Sequence, residues 1–269
     1  MLTFAATLDP KSTPTNLRRL NALPSGPTFS PRINPIAPGI NPLAPEPNLP
    51  PVPKYKVWTD PLKKSPVFDQ LDKLFKERIA FIDGAMGTMI QKYKLSEADF
   101  RGSRYLNHGH ELKGNNDLLV LTKPDVIAEI HMAYLEGGAD IIETNTFNGT
   151  WISQSDYLLQ ADEEVASINK TAAQLAKSCC LKYMAAHPDK GPKFAAGAVG
   201  PTNKTLSVSP SVENPAFRGI TYDEVVDAYY KQMEALYEGG VDLFLVETIF
   251  DTLNAKAAIF ALEKFFEAK

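Results

Sequence analysis

Four stretches of this 269-residue chain run out of apolar residues into groups that can do chemistry. They read Asp83-Gly84, Glu143-Thr144-Asn145, Gly200-Pro201-Thr202-Asn203 and Glu247-Thr248. In three of the four, the first polar group is a carboxylate. One such acid can simply cap a following helix or pair across a sheet, but three together make a rim suited to a cation. With the amides of Gly84 and Ala85 beside it, the rim suits a ligand carrying both an ammonium and a carboxylate. The acids would hold the cation, and backbone N–H groups the anion. An amino acid is the simplest such ligand.

The elements that position these groups alternate in type. Arg78–Ile82 is an apolar run with the length of a buried strand, and Asp140-Ile141-Ile142, Phe194–Val199 and Leu243–Val246 supply three more. Between them lie helical patterns. Leu71, Leu74 and Phe75 mark a short first helix. A helix with Thr122 as cap and an early Pro124 carries Ile127, Ile130 and Tyr134 and stops at Gly137-Gly138. A long helix covers about 163–183. Thr221 and Glu224 form a capping box for a helix that closes at Gly239-Gly240, and a last helix begins near Asn254. Glu136-Gly-Gly-Ala-Asp140 and Glu238-Gly-Gly-Val-Asp242 repeat the same order of helix end, Gly-Gly, Asp and strand, each leading to Glu-Thr. The fold class is therefore α/β, with parallel β/α units. Four such units fit the first four of an eight-fold TIM barrel or one wing of a doubly wound sheet. In the barrel, chemistry collects at the C-terminal strand ends, where the polar groups sit. Gly84-x-x-Gly87 is not the three-glycine dinucleotide fingerprint, and no phosphate loop follows it. An aldolase-type site is not supported either, because no strand ends in a lysine placed for a Schiff base.

Composition divides the chain at residue 66. Fifteen of the 21 prolines lie at or before Pro66. Residues 1–66 hold eight Lys+Arg against three Asp+Glu, and residues 67–269 hold twenty against twenty-nine. The first part reads as a basic, disordered, polyproline-II-like tail. Pro47-Asn48-Leu49-Pro50 and Pro50-Pro51-Val52-Pro53 give it the PxxP spacing of SH3- or WW-type ligands, while Arg18-Arg19 in an acid-poor start leaves an organelle transit peptide open. The start lacks the apolar core of a secretory signal. The body carries no basic stripe for nucleic acid and no apolar run near the ~20 residues that span a membrane. Two cysteines make no disulfide scaffold, which fits a reducing, cytoplasmic setting.

Six motifs occur in order along the body: Asp83-Gly-Ala-Met-Gly-Thr88, Phe100-Arg-Gly102, Lys113-Gly-Asn-Asn-Asp117, Glu143-Thr-Asn-Thr-Phe147, Gly200-Pro-Thr-Asn-Lys-Thr-Leu-Ser-Val-Ser-Pro210 and Glu247-Thr-Ile-Phe-Asp251. From about Leu71 to Lys269 the chain resembles the N-terminal homocysteine-binding module of the cobalamin-dependent methionine synthases. Asp83-Gly84 and the Glu-Thr strand ends are shared with other homocysteine methyltransferases, including the betaine-dependent one. The resemblance implies a TIM barrel that binds homocysteine and zinc. It also implies methylcobalamin as methyl carrier between methyltetrahydrofolate and the substrate, with folate- and cobalamin-binding domains downstream. Zinc matters because a free thiol, with pKa of about 8.5, is mostly protonated at neutral pH, whereas a metal-bound thiol is deprotonated. By position, the resemblance gives Asp83 and Glu247 the homocysteine ammonium and the Gly84–Ala85 amides its carboxylate. Glu143, Thr144 and Asn145 match further rim residues.

The resemblance also implies three zinc cysteines, and Cys179-Cys180 do not match them. They lie within the helical stretch ahead of Phe194, on adjacent residues that point about 100° apart. None of His108, His110, His131 and His187 stands at a ligand spacing to them. The sequence thus reads as half of a homocysteine barrel, a fragment that binds no zinc or cobalamin of its own and is inactive alone. Such a half leaves an unpaired sheet edge and an inner face with no opposite wall. A betaine- or S-methylmethionine-type methyltransferase, or a non-catalytic half-barrel carrying a proline-rich ligand tail, are the alternative readings.

Overall fold

The structure, a computed structural model, describes residues 65–269. The PxxP motifs and nearly all of the proline-rich stretch fall outside the described residues. Ser65 and Pro66 belong to the first helix, α1 (Pro66–Glu77). The Ser65 hydroxyl accepts from Phe68 N at 3.3 Å, and Pro66 takes the first turn, where a missing N–H costs nothing.

Three short helices follow, α2 (Met86–Gln91), α3 (Glu97–Arg101) and α4 (Leu119–Thr122), and then α5 (Pro124–Glu136). The cap expected at Thr122 does not form. Thr122 ends α4, its hydroxyl turning back to the Leu118 carbonyl at 3.5 Å. Lys123 takes the cap position of α5 without a side-chain bond, so Pro124 alone supplies the local start signal. The remaining order is β1 (Ile141–Glu143), α6 (Trp151–Gln154), α7 (Asp162–Ala186), β2 (Phe194–Val199), α8 (Tyr222–Gly239), β3 (Leu243–Val246) and α9 (Thr252–Ala268). The capping box ahead of α8 is present: Thr221 N donates to Glu224 Oε2 at 2.8 Å, and Glu224 N donates to Thr221 Oγ1 at 3.3 Å.

The strands form one parallel sheet in the order β1-β2-β3, with Ile141 opposite Phe194 and Ala196 opposite Leu243. The expected first strand, Arg78–Ile82, is reduced to a single bridge between Ile82 and Ile141. Asp140 N and Ile141 N donate to Phe81 O at 2.7 and 3.1 Å, and Asp83 N donates to Ile141 O at 3.0 Å, so residues 81–83 run beside β1 for three bonds only. This is a sheet edge, not a covered strand. Ile79 and Phe81 are 79% and 62% exposed, against the expectation of a buried run. Among the described residues, no strand lies on the outer side to extend the pairing.

Side chains alternate between the two faces with the period of a strand. Ile142 and Ala195 pack with Leu135, Ala176 and Cys180 under α5 and α7. Val199 and Phe244 pack with Met233, Leu236 and Phe265 of α8 and α9. The opposite, inner face carries Ile141, Phe194, Ala196 and Leu245. It is not bare, as the half-barrel reading expects: Leu71 and Leu74 of α1 fill its lower half.

The repeated Gly-Gly-x-Asp segments do the same structural work twice. Asp140 accepts from Phe81 N at 3.0 Å, and Asp242 accepts from Ala195 N at 2.9 Å. Each acid, at the foot of its strand, thus pins the neighbour before it. The paired glycines divide their roles. Gly240 sits at φ 93°, a left-handed helix end. Gly239 lies where α8 crosses α7, and a Cβ there would meet Ala173 and, at 2.6 Å, the Lys170 carbonyl oxygen.

Candidate functional site

Above the α1 plug the inner face turns acidic. Glu143 ends β1 on the face of Ile141, and Glu247 follows β3 on the face of Leu243 and Leu245. Asp83 leaves the edge segment and is held by Glu143 N, which donates to its Oδ1 at 2.9 Å. All seven residues singled out from the sequence (Asp83, Gly84, Ala85, Glu143, Thr144, Asn145 and Glu247) line one small open cleft, together with Met86 and Phe147.

Their environments differ. Thr144 is turned into the sheet: its hydroxyl accepts from Ala198 N at 3.0 Å and bonds Thr146 Oγ1 at 2.7 Å. Asn145 gives its amide to Asn116 O at 2.7 Å. Ala85 and Thr248, neither a glycine, sit in the left-handed region at φ 50° and 54° beside the carboxylates. A Cβ on Gly84 would meet nothing within 4 Å, so the backbone there borders open space.

Among the described residues, no cation is paired with the three acids. Burial pushes the Asp83 carboxyl up to about 7; the Glu143 amide opposes that shift and the Glu247 charge adds to it. Glu143 is raised by burial and then by the charges of Glu247 and Asp83. Glu247 is raised by burial too, against the opposing bonds from Thr248 and from Glu143. Glu143 and Glu247 are near neighbours, and the negative charge of each disfavours ionisation of the other. The cleft is thus short of one positive charge. An ammonium group placed there would draw these acids into the ionised state and be held by them.

A fourth acid lies behind the rim. Asp117 is buried and accepts from Asn148 N at 2.7 Å; burial pushes it up to about 7, with Glu247 contributing. It stands inside a quoted motif, Lys113-Gly-Asn-Asn-Asp117, but nothing in its local sequence shows that it reaches the loop after β1.

The two cysteines do not fit a thiolate metal centre. Both are buried on α7 in the apolar cluster under Ile142 and Leu135, and burial pushes the Cys180 thiol up to about 12. Among the described residues, no three His, Cys, Asp or Glu side chains come together as a metal site. His108 and His110 bond the carbonyls of Tyr157 and Glu111, and His131 is buried in α5.

A parallel sheet with acids at its C-terminal strand ends, packed below against α1, defines an α/β protein with an acid-lined cleft. Residues 80–268 match the homocysteine S-methyltransferase family, and the chain belongs to that family. The fold is similar to the homocysteine methyltransferase MmuM from Escherichia coli in its metallated form (TM-score 0.56, 22% identity, covering 74% of this chain and 62% of that one). The oxidized form of MmuM gives the same values. The apo form gives a TM-score of 0.51 at 20% identity over 73% and 59% of the two chains. The chain thus spans about 62% of the length of the enzyme it matches. Among the described residues, no helix is long and apolar enough to cross a membrane.

Proposed function

We propose that this chain holds the amino-acid end of homocysteine in the upper cleft, as part of a methionine synthase-type homocysteine barrel of which it supplies the first four β/α units. The observation that carries this reading is the convergence of Asp83, Glu143 and Glu247 on one cleft without a cation, next to the open backbone at Gly84 and Ala85. In this reading Asp83 and Glu247 take the ammonium, with Glu143 beside them, and the Gly84 and Ala85 amides take the carboxylate. The rim residues Thr144 and Asn145 hold the wall in place. Phe100-Arg-Gly102, Lys113-Gly-Asn-Asn-Asp117 and the long Gly200–Pro210 segment support the cobalamin-dependent branch. There the methyl group comes from methyltetrahydrofolate through methylcobalamin on separate domains.

Activating the sulfur is a separate task. In the family it belongs to a zinc-bound thiolate, and the described cysteines and histidines do not fit that role. The proposal therefore assigns these residues substrate binding and orientation, and derives no transfer step from them.

Isothermal titration with L-homocysteine tests the reading. Saturable binding should vanish with 4-mercaptobutyrate, which lacks the ammonium, and with the Asp83→Asn/Glu247→Gln double variant. Equal binding of 4-mercaptobutyrate would sink it. The fold is also compatible with a second reading, a methyltransferase using a betaine- or S-methylmethionine-type donor directly. Added S-methylmethionine would then compete for the cleft, whereas the cobalamin reading expects no competition.

A further inference from the structure

The cleft has a polar side and an apolar side, and the apolar side is built with unusual care. Phe147 is a large aromatic residue left 37% exposed on the rim. Its backbone is fixed by groups drawn from across the fold. Thr146 O accepts from Gln232 Nε2 of α8 at 2.9 Å. Asn148 N donates to Asp117 Oδ2 at 2.7 Å, and Asn148 O accepts from Gln154 Nε2 of α6 at 3.1 Å. Gly149 O accepts from Asn169 Nδ2 of α7 at 2.7 Å. On the other side Gly200 presses against Phe147: a Cβ there would collide with the Phe147 carbonyl oxygen and lie 3.2 Å from its ring. Gln232, Asn169, Gln154 and Asp117 are all buried. Four buried polar side chains thus fix the loop that carries one exposed ring, and none of them reaches the cleft itself.

From this we infer that Phe147, with Met86 beside it, is the specificity-determining wall of the cleft: it selects amino acids with an unbranched, weakly polar side chain of about three to four heavy atoms. The inference rests on the amino-acid reading of the same cleft. The ammonium and carboxylate of such a ligand occupy the acids and the Gly84–Ala85 amides. Thr144 has spent its hydroxyl on Ala198 and Thr146, and Asn145 turns its amide N–H to Asn116. The ligand's side chain is left with Phe147 and Met86, a surface that welcomes methylenes and sulfur and offers a hydroxyl or charge no partner. Selection of this kind needs a ring that does not yield, which is what the clamped loop provides.

Titration of the whole chain with L-homocysteine, L-norvaline, L-homoserine and L-alanine tests this. The unaltered protein should bind L-homocysteine and L-norvaline at least about ten-fold more tightly than L-alanine or L-homoserine. Phe147→Ala should bring the homocysteine-to-alanine ratio to within about three-fold, chiefly by weakening homocysteine, with L-alanine affinity little changed. Phe147→Leu should keep most of the ratio. Phe147→Gln, which retains size but not apolar character, should lose it, and this variant serves if the alanine variant does not fold. A ratio in the alanine and glutamine variants equal to that of the unaltered protein overturns the specificity role and leaves the amino-acid reading standing. No binding of any of the four amino acids by the unaltered chain overturns both.

Discussion

The two ends of the sheet carry buried acids treated in opposite ways. At the foot of the strands, Asp140 meets both nitrogens of the Arg78 fork at 2.7 and 2.8 Å and Lys193 Nζ at 3.0 Å, and Asp242 meets Lys177 Nζ at 2.6 Å. At the top, Asp83, Glu143 and Glu247 meet one another and, among the described residues, no cation. Burial alone would raise the Asp140 carboxyl, but Arg78, the Phe81 amide and Lys193 outweigh it and hold it at about 2. At Asp83 burial outweighs the one opposing bond, from the Glu143 amide, and the carboxyl stands at about 7. The same desolvation acts at both ends, and the supply of donors decides the outcome. The foot therefore reads as structure and the top as a site waiting for a charge, the division of labour expected between the two faces of a β/α barrel.

The sharpest way to break this contrast is to remove the lower acid. Asp140→Ala strands Lys193, itself 4% exposed at its side chain, and frees the edge segment from its Phe81 anchor. Stranding a buried partner typically costs about 3–5 kcal/mol, and urea unfolding should show a loss of that order. A loss below about 1 kcal/mol would mean that the foot is no more built than an exposed ion pair.

Asp83→Asn should act in the other direction. An acid raised from about 4 to about 7 on folding binds its proton more tightly in the folded state. The folded protein thus loses stability as pH rises from about 4 to about 7, and the penalty is complete above that. Asparagine can still accept from Glu143 N and carries no charge to bury. The variant should gain up to about 4 kcal/mol at pH 8 and little near pH 4, with the unaltered protein's decline over that window flattened. The lower rim has the opposite sign: Asp140, held at about 2, contributes fully above pH 4 and loses its contribution as pH falls toward 2. Ligand binding should follow the upper rim. Affinity for an ammonium ligand rises by up to about ten-fold per pH unit below 7 and levels off above it. A flat affinity profile between pH 5.5 and 8 would separate the raised acids from the ligand.

How much of this was legible in the sequence depended on range. The strands β1, β2 and β3 were readable because apolar runs of the right length lead into Gly or Glu-Thr. Arg78–Ile82 has the same local signature, yet Phe81 is exposed, because whether a run is covered depends on a neighbour that the run does not encode. Thr122 looked like a cap because Thr-Lys-Pro-Asp reads identically when a preceding turn, Leu119–Thr122, has already claimed the threonine. The seven rim residues were legible as strand ends and fall in one cleft. The clamp on Phe147 was not, since Asn169 and Gln232 reach Gly149 and Thr146 across 20 and 86 residues. The repeated Gly-Gly-x-Asp was seen as an echo of architecture, but its meaning, one acid pinning the neighbouring strand, required the register.

The smallest effect tests whether height on the sheet or the supply of donors is the real variable. Asp251 stands at the upper end, four residues beyond Glu247, yet it is satisfied. Its carboxylate accepts from Ser207 N and Ser207 Oγ at 2.8 Å each, and from Leu253 N at 2.8 Å and Asn254 N at 3.3 Å. Burial raises this carboxyl, but the Ser207, Leu253 and Asn254 donors outweigh it and hold it below the usual range. It caps α9 and ties the Gly200–Pro210 segment to that helix. If donors decide, Asp251→Asn should behave like the foot and unlike Asp83→Asn. It should lose about 1 kcal/mol, the worth of the hydrogen bond to Ser207 N that the amide nitrogen cannot accept, with the loss confined to pH values above the ordinary carboxylate range. A gain at pH 8 like that of Asp83→Asn would instead mean that every acid at the upper end is under strain from position alone.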